Sequence, residues 1–368
     1  MPFESGSVSF RMMELPRAFP KNYAEKFASH RAGPLDAVGA GEQRGWVTGR
    51  HLLDSKITDD SATYAGWVRL ALRQAERKVP AALLKAECRM EELAVQAAEG
   101  KAYLKARQRA EIRQSVTERL LPNMPPQLRA IPFVYLPGAA HLYVTALATA
   151  PLDVFSAALA STLGFSGSPS TPETLGETLK KTDLRDLPGT SFSPEMEHEA
   201  MEAAPGREFL TWLWFKAETQ NGKVALADSR DLGVLVEGPL TFTHEGNGAH
   251  AAVLKKGAPE NSIEAKTCLL SGKKLKEAKI TFALDEQHLW AFGFEADQFL
   301  IRGLKLPQGE GQLDAVSRFQ ERMIFLEQWR EIFLDLFGAF VAARTDAKKW
   351  KTAVADIRAW VKDRPSKR

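Results

Sequence analysis

The stretch that decides the fold runs from Pro80 to Leu121 and reads PAALLKAECRMEELAVQAAEGKAYLKARQRAEIRQSVTERLL. It is rich in Ala, Glu, Lys, Arg, Leu and Gln, which are strong helix formers, and it contains no internal proline. Pro80 suits the first turn of a helix, where its missing N–H costs little. Gly100 interrupts the run and Pro122 follows it. The sequence therefore predicts a helical hairpin that breaks at Gly100.

Outside this hairpin the pattern is mixed. Short alternating or apolar runs predict strands at 7–15, 64–72, 131–136 and 141–145, and again between 233 and 295. Helices are predicted at 151–163, 207–215, 262–271, 313–343 and 347–361. The fold class is therefore α+β. We predict a central α+β domain from 1–77 and 123–165, the hairpin at 78–122, a Ser/Pro/Thr/Gly-rich linker at 166–205, a second α+β domain at 206–310, and C-terminal helices at 311–368.

The length and composition of the chain exclude several classes of protein. The chain has 368 residues, a net charge of +3, 44% apolar and 26% charged residues, which fits a folded protein of two or three domains. Two distant cysteines, Cys88 and Cys268, argue against a disulfide framework and against a zinc site built on paired cysteines. The N-terminus lacks the pattern of a signal peptide, and no window approaches the roughly 18 apolar residues of a membrane span. We therefore expect a cytoplasmic protein without a membrane partner.

The second half of the hairpin carries a basic stripe. Lys101, Lys105, Arg109 and Arg113 recur every four residues and form one slowly drifting stripe of roughly 18 Å. Arg107 and Arg119 flank it, and the only acidic residues of the segment are Glu111 and Glu118. Such a stripe suits a nucleic-acid backbone, because each neutralised phosphate releases counterions and adds sequence-independent affinity. The alternative is an inert, solvated helix face, which is common in proteins.

Basic residues also cluster elsewhere. Lys255-Lys256 follow a predicted strand, and Lys273-Lys274 follow the helix that Gly272 closes. The tail from Arg344 to Arg368 holds nine basic and three acidic residues. In a chain of nearly neutral net charge, these clusters mean that charge is segregated.

Signatures of enzymes are mostly missing. The chain contains no HExxH, GxSxG, GxGxxG or GxxxxGK[ST] motif. Glu264-Ala265-Lys266 matches half of a metal-dependent nuclease site, in which Asp228 or Asp231 would have to supply the second carboxylate. Such nucleases carry this motif on a strand, whereas here it lies in a predicted helix. We therefore predict no catalysis, no metal and no cofactor.

Several short segments occur in a familiar order. They are Gly45-Trp46-Val47, Glu76-Arg77-Lys78-Val79-Pro80, Leu120-Leu121-Pro122, Phe209-Leu210-Thr211-Trp212, Ala252-Val253-Leu254-Lys255-Lys256, Gly272-Lys273 and Leu304-Lys305-Leu306. In this order and spacing, over roughly residues 7–307, the chain resembles the RdgC family of recombination-associated DNA-binding proteins of bacteria.

The resemblance implies a central region, a projecting helical tip and a base. It also implies a ring-shaped homodimer that holds duplex DNA in a positively lined hole, without catalysis, and that limits the access of RecA to DNA on the nucleoid. The chain departs from the family at Asn123-Met124-Pro125-Pro126, where basic and aromatic residues can stand, and in its longer linker and C-terminal helices.

We therefore expect sequence-independent binding of double-stranded DNA by a homodimer. The expected phosphate contacts are Lys101, Lys105, Arg107, Arg109, Arg113, Arg119, Lys255, Lys256, Lys273 and Lys274. Two alternatives remain open at this point. One is a magnesium-dependent nuclease that uses Glu264 and Lys266, and the other is a protein-interaction scaffold that acts through the C-terminal helices.

Overall fold

The computed structural model describes residues 2–180, 182–196, 202–244, 251–309, 311 and 313–363. These ranges form a mixed α+β structure with ten α-helices and thirteen strands. The helices are α1 (Tyr23–Ser29), α2 (Asp59–Ala62), α3 (Ala81–Glu99), α4 (Ala106–Leu120), α5 (Thr149–Leu163), α6 (Pro172–Lys180), α7 (Pro205–Thr219), α8 (Ile263–Leu270), α9 (Ala315–Thr345) and α10 (Ala347–Lys362). The strands are β1 (Val8–Glu14), β2 (Gln43–Thr48), β3 (Thr63–Tyr64), β4 (Trp67–Glu76), β5 (Gln127–Tyr135), β6 (His141–Val144), β7 (Ser168–Pro169), β8 (Lys223–Ala225), β9 (Asp231–Thr243), β10 (Ala251–Leu254), β11 (Lys274–Ala283), β12 (Leu289–Glu295) and β13 (Leu300–Lys305).

One antiparallel sheet runs through the described chain. Its order is β10-β9-β11-β12-β13-β1-β6-β5-β4-β2, with β3 on β4, β7 on β1 and β8 on β9. Strand β1 joins the two halves, because Phe10 pairs with Ile301 of β13 while Met13 pairs with Leu142 of β6. The two α+β units that the sequence predicts as separate domains therefore share a sheet.

The core also crosses the expected boundaries. The ring of Phe10 packs edge-on against both Tyr143, at 5.3 Å, and Trp329 of α9, at 5.4 Å. Helix α9 is buried along much of its length, and its aromatic residues pack against β12 and α7. The predicted C-terminal helices exist, but the first of them is part of the main core rather than an appendage.

The helical hairpin is confirmed. Helix α3 ends at Gly100, whose φ of +63° lies in the left-handed region that glycine adopts without strain. Helices α3 and α4 pack on each other through a small apolar cluster built on Leu84 and Val116, with the half-buried Cys88 at its side. This cluster is separate from the larger cores, so the hairpin forms a packing unit of its own.

The segment expected to be a linker is packed. Over its described residues it contains β7, α6 and three large apolar side chains that are buried, Leu175, Leu184 and Phe192. Thr190 accepts a hydrogen bond from Trp350 Nε1 at 2.9 Å. The segment predicted as a linker is therefore packed against the rest of the chain over 166–180 and 182–196. A few well-spaced apolar residues anchor a segment whose overall composition is polar.

Two strand predictions also need correction. The sequence predicts short strands around 233–236 and 240–243, whereas β9 is one continuous strand, and β13 is a strand that the periodicity does not predict. β13 pairs with both β12 and β1. It therefore completes the join between the two halves of the sheet.

Candidate nucleic-acid interface

The expected phosphate contacts include six cations of the hairpin, and three of these six form ion pairs with acidic side chains. Lys101 Nζ lies 2.7 Å from Glu99, and Arg107 Nε lies 2.9 Å from Glu111 on the next turn. Arg119 reaches across the hairpin and contacts Glu87 and Glu91 of α3, each at 3.0 Å. These contacts give the three cations a structural explanation that needs no ligand.

The other three hairpin cations have none. Lys105, Arg109 and Arg113 are exposed, and none forms an ion pair with another described residue. The first turn of α4 carries no acidic side chain. Cations there oppose the helix dipole, which disfavours them by about 0.3–1 kcal/mol each. Helix stability therefore does not explain Lys105 and Arg109 at this end of α4, and Arg113 lies in the middle of the helix, where the dipole neither favours nor disfavours it.

A second group of expected phosphate contacts, Lys255 and Lys256, lies in the turn after β10. Lys255 and Lys256 are exposed, and Lys256 and Gly257 both have left-handed φ angles, of +72° and +71°. Neither lysine forms an ion pair with another described residue. Lys273 is half-buried, and its Nζ donates to Ser271 Oγ at 3.1 Å. Lys255, Lys256 and Lys273 therefore each keep a charge at or near the surface.

Lys274 is a correction to the predicted contact set. Its side chain is 1% exposed, and its Nζ lies 3.5 Å from Glu208 Oε1. Arg344 Nε approaches the other carboxylate oxygen at 2.7 Å, and the Thr190 N–H donates to Glu208 at 2.9 Å. Lys274 is therefore part of a buried ionic cluster and does not reach a phosphate. Lys274 is the first residue of β11, whereas Lys273 lies outside the strand and is only half-buried.

The nuclease-like residues do not form a site. Glu264 and Lys266 lie on α8, with Glu264 exposed and Lys266 buried. Lys266 Nζ donates to the Trp360 carbonyl at 3.0 Å and sits 3.3 Å from the centre of the Trp360 ring. Burial lowers the pKa of Lys266 to about 8, although Glu218 nearby raises it. This lysine is bound to α10 rather than directed at a substrate.

The carboxylates that would complete a nuclease site are also engaged. Asp228 is bonded to Arg230 at 2.6 Å, and Asp231 lies 4.0 Å from Lys223. Within the described ranges no three His, Cys, Asp or Glu side chains are grouped closely enough to hold a metal ion.

One surface feature was missed by the sequence analysis. The outer face of α3 carries Leu83, Ala86, Met90, Leu93 and Ala97, all exposed. Met90 is 63% exposed and Leu93 is 50% exposed. The spacing of three and four residues was visible in the sequence as the a and d positions of a heptad.

Comparisons with known proteins add no constraint. No family model matches the chain, and no curated protein sequence is similar to it. None of the helices in the described ranges has an apolar stretch long enough to cross a bilayer. The residues of this chain are therefore the basis for inferring the function of the protein.

Proposed function

We propose that this chain is a non-enzymatic protein that binds double-stranded DNA through the phosphate backbone, without sequence preference, as a homodimer. The observation that carries the proposal is the set of three exposed cations without ion-pair partners in the described chain, Lys105, Arg109 and Arg113. They recur at intervals of one helical turn along α4. Side chains so arranged contact successive anionic groups and carry no information about base sequence.

The surface after β10 supplies a second contact region. Lys255 and Lys256 project from a turn, where flexible lysine side chains act as point charges toward phosphate. Lys273 precedes β11, which β9 separates from β10, and it lies near the opposite end of β10 from these two lysines. Lys274 is removed from the predicted set because Glu208 holds it in the core.

Self-association is supported by the apolar stripe on α3, which we define as Leu83, Ala86, Met90, Leu93 and Ala97. At 3.6 residues per turn these five side chains fall within about 80° of the helix surface. They point about 160° away from Leu84 and Cys88, which face α4. Heptad spacing is typical of one helix packed on another, and the same stripe on a second copy provides a matching surface.

A ring around duplex DNA is the form of dimer that the RdgC resemblance implies, and we adopt it in the proposal. A dimer that covers the duplex backbone would limit the access of RecA to DNA, which is the role the resemblance implies. That role is tested separately, by adding the protein to a RecA strand-exchange reaction. Inhibition is expected with the wild type and not with a variant that fails to bind DNA.

The central experiment compares two matched triple variants. The first, Lys105→Gln/Arg109→Gln/Arg113→Gln, removes the three cations without partners. The second, Lys101→Gln/Arg107→Gln/Arg119→Gln, removes the same charge from the same hairpin but from residues held by acidic partners. Binding to a fluorescent duplex of about 30 base pairs is measured by anisotropy.

The first variant should lose at least tenfold in affinity near physiological salt, and its salt slope should fall by about 2 to 3. The second should change affinity only a few-fold. Circular dichroism checks that both remain helical. Equal losses in the two variants would mean that net charge matters and that the three residues are not a site.

The two alternatives have their own tests. If the chain were a magnesium-dependent nuclease, incubation with plasmid and Mg²⁺ would produce nicked or linear DNA, and Glu264→Gln would abolish it. Intact plasmid agrees with the proposal. A scaffold acting through the C-terminal helices would show no gel shift with DNA at low salt. The burial of most of the apolar face of α9 in the main core weighs against that scaffold.

A further inference from the structure

Helix α10 is fixed to the rest of the chain by its apolar face. Trp350, Val354, Ile357 and Val361 recur at intervals of three and four residues and are buried. Polar contacts add to the packing: Trp360 Nε1 donates to Glu218 at 2.9 Å, and Lys266 Nζ donates to the Trp360 carbonyl at 3.0 Å. The helix therefore presents its remaining faces in a defined direction.

One flank of this helix is basic, and we define it as Lys348, Lys351, Arg358 and Lys362. At 100° per residue these positions fall within about 80° of the helix surface and extend over roughly 21 Å. Asp356 and Asp363 lie about 110° away on the helix. The three lysines are exposed, and none of them forms an ion pair with another described residue.

Two cations of this flank, Lys348 and Lys351, lie at the end of the helix where positive charge is unfavourable, whereas Lys362 lies in the last turn, where it is favourable. Lys348, Lys349 and Lys351 stand in and just after the first turn of α10, where no side chain is acidic. Positive charge at this end opposes the helix dipole, as it does in α4. Asp346 caps the helix and contacts Lys349, but it leaves Lys348 and Lys351 uncompensated.

The basic flank of α10 is linked to the segment that carries Lys273 of the proposed DNA interface. Arg358 Nη2 donates to the Ser191 carbonyl at 3.0 Å, and two residues further on Ser193 donates to the Leu270 carbonyl. Leu270 ends α8, and Lys273 follows three residues later. The segment 191–193 thus bridges α10 to the chain that carries Lys273.

We infer that the basic flank of α10 is a further phosphate-binding surface that extends the base of the DNA site. The inference rests on the proposed function. A duplex is favoured over an anionic membrane because α10 has no apolar face left to insert: its apolar residues are already buried in the protein. A duplex needs only cations at intervals along its backbone.

The test uses the full chain and two matched variants. Lys348→Gln/Lys351→Gln/Lys362→Gln neutralises the flank, and Lys21→Gln/Lys56→Gln/Lys180→Gln neutralises three exposed lysines elsewhere. Affinity for a duplex is measured across a salt series. The flank variant should bind three- to tenfold more weakly near physiological salt, with a slope lower by about 2 to 3. The control should stay within twofold of the wild type.

The outcomes separate this inference from the proposed function. If the wild type does not bind duplex DNA at all, both fail. If the wild type binds and the α4 variant is impaired while the α10 variant equals its control, the proposed function stands and the inference is overturned. Binding of wild-type protein to vesicles of phosphatidylserine and phosphatidylcholine that is lost in the flank variant, with unchanged DNA binding, also overturns it in favour of a membrane.

Discussion

Glu208 is a buried carboxylate that stabilises two cations from distant parts of the chain. Lys274 comes from β11 and Arg344 from the end of α9, and all three side chains are at most 6% exposed. Removing one charge from such a cluster leaves buried charge uncompensated, which costs about 3–5 kcal/mol. Glu208→Gln should therefore lower the free energy of unfolding by that amount.

Urea denaturation followed by tryptophan fluorescence measures this effect. Glu286→Gln, at an exposed position, is the control and should leave the unfolding midpoint unchanged. A loss below about 1 kcal/mol for Glu208→Gln would contradict a structural role for the cluster. It would also reopen the possibility that Lys274 is free to bind phosphate.

Lys266 gives the chain a pH-dependent contribution to stability. Its pKa in the folded state is about 8, against an ordinary 10.5, because burial disfavours the charged form. Between these two values the unfolded chain binds more protons than the folded chain, so stability rises with pH through this window. The free energy of unfolding of the wild type, measured relative to that of Lys266→Met, should therefore increase by about 1–2 kcal/mol between pH 7.5 and 9.5.

The measurement is a pair of urea titrations at each pH on the wild type and the methionine variant. Taking the difference removes the contribution of the other titrating groups. A difference that stays constant with pH would show that Lys266 titrates normally and that its contact with Trp360 does not exclude water.

At the scale of single residues, the sequence alone does not predict which side chains are exposed, because exposure depends on the backbone and on distant partners. Lys273 and Lys274 are identical in sequence character, yet Lys273 is half-buried and Lys274 is buried at the start of β11. The burial of Lys274 could not be predicted, because its partner Glu208 is 66 residues away in the chain.

At the scale of elements, the α3 stripe predicts a change in oligomeric state. Met90→Gln/Leu93→Gln removes the two most exposed large side chains of the stripe without altering charge. If a second copy packs there, the dimer should dissociate at least tenfold more readily, since truncation of central apolar contacts costs more than about 1.4 kcal/mol. Sedimentation equilibrium measures the dissociation constant.

The matched control is Val316→Gln/Ile324→Gln, which replaces two exposed apolar residues of α9. It should leave the dimer intact. A monomeric wild type, or a dimer equally stable in both variants, would remove the stripe from the interface.

The elements themselves follow closely from local signals. Proline at the start, glycine at the break and an uninterrupted run of helix formers predict the α3–α4 hairpin. The segment 166–205 shows the limit of that approach. Its polar composition suggests a linker, whereas tertiary contacts, among them those of Leu175, Leu184 and Phe192 with the core, make it part of the fold.

At the scale of the whole molecule, the continuous sheet could not be read from the sequence. The join depends on β1. One end of β1 pairs with β6, which follows the hairpin, and the other end pairs with β13 near the end of the sheet region, and both partners are more than 100 residues away in the chain. Pairing over such separations has no local signature. The division into a central and a base domain was therefore predicted from composition, where the structure has a shared sheet and core.

The shared sheet matters for the proposed interface. It connects β4 and β5, which flank the hairpin, to β10 and β11, which adjoin Lys255, Lys256 and Lys273. Helix α10 is in turn anchored through α8 and the segment 191–193.

The most direct test of the central claim is the salt dependence of duplex binding by the wild-type protein. Affinity is measured by anisotropy between 50 and 300 mM salt, on two duplexes of equal length and unrelated sequence. The account predicts a log–log slope steeper than about −3, since the three α4 cations alone contribute about −2.7 at −0.9 per phosphate. It also predicts affinities for the two duplexes within about threefold. A flat slope, or a preference of about a hundredfold for one sequence, would contradict binding through the phosphate backbone.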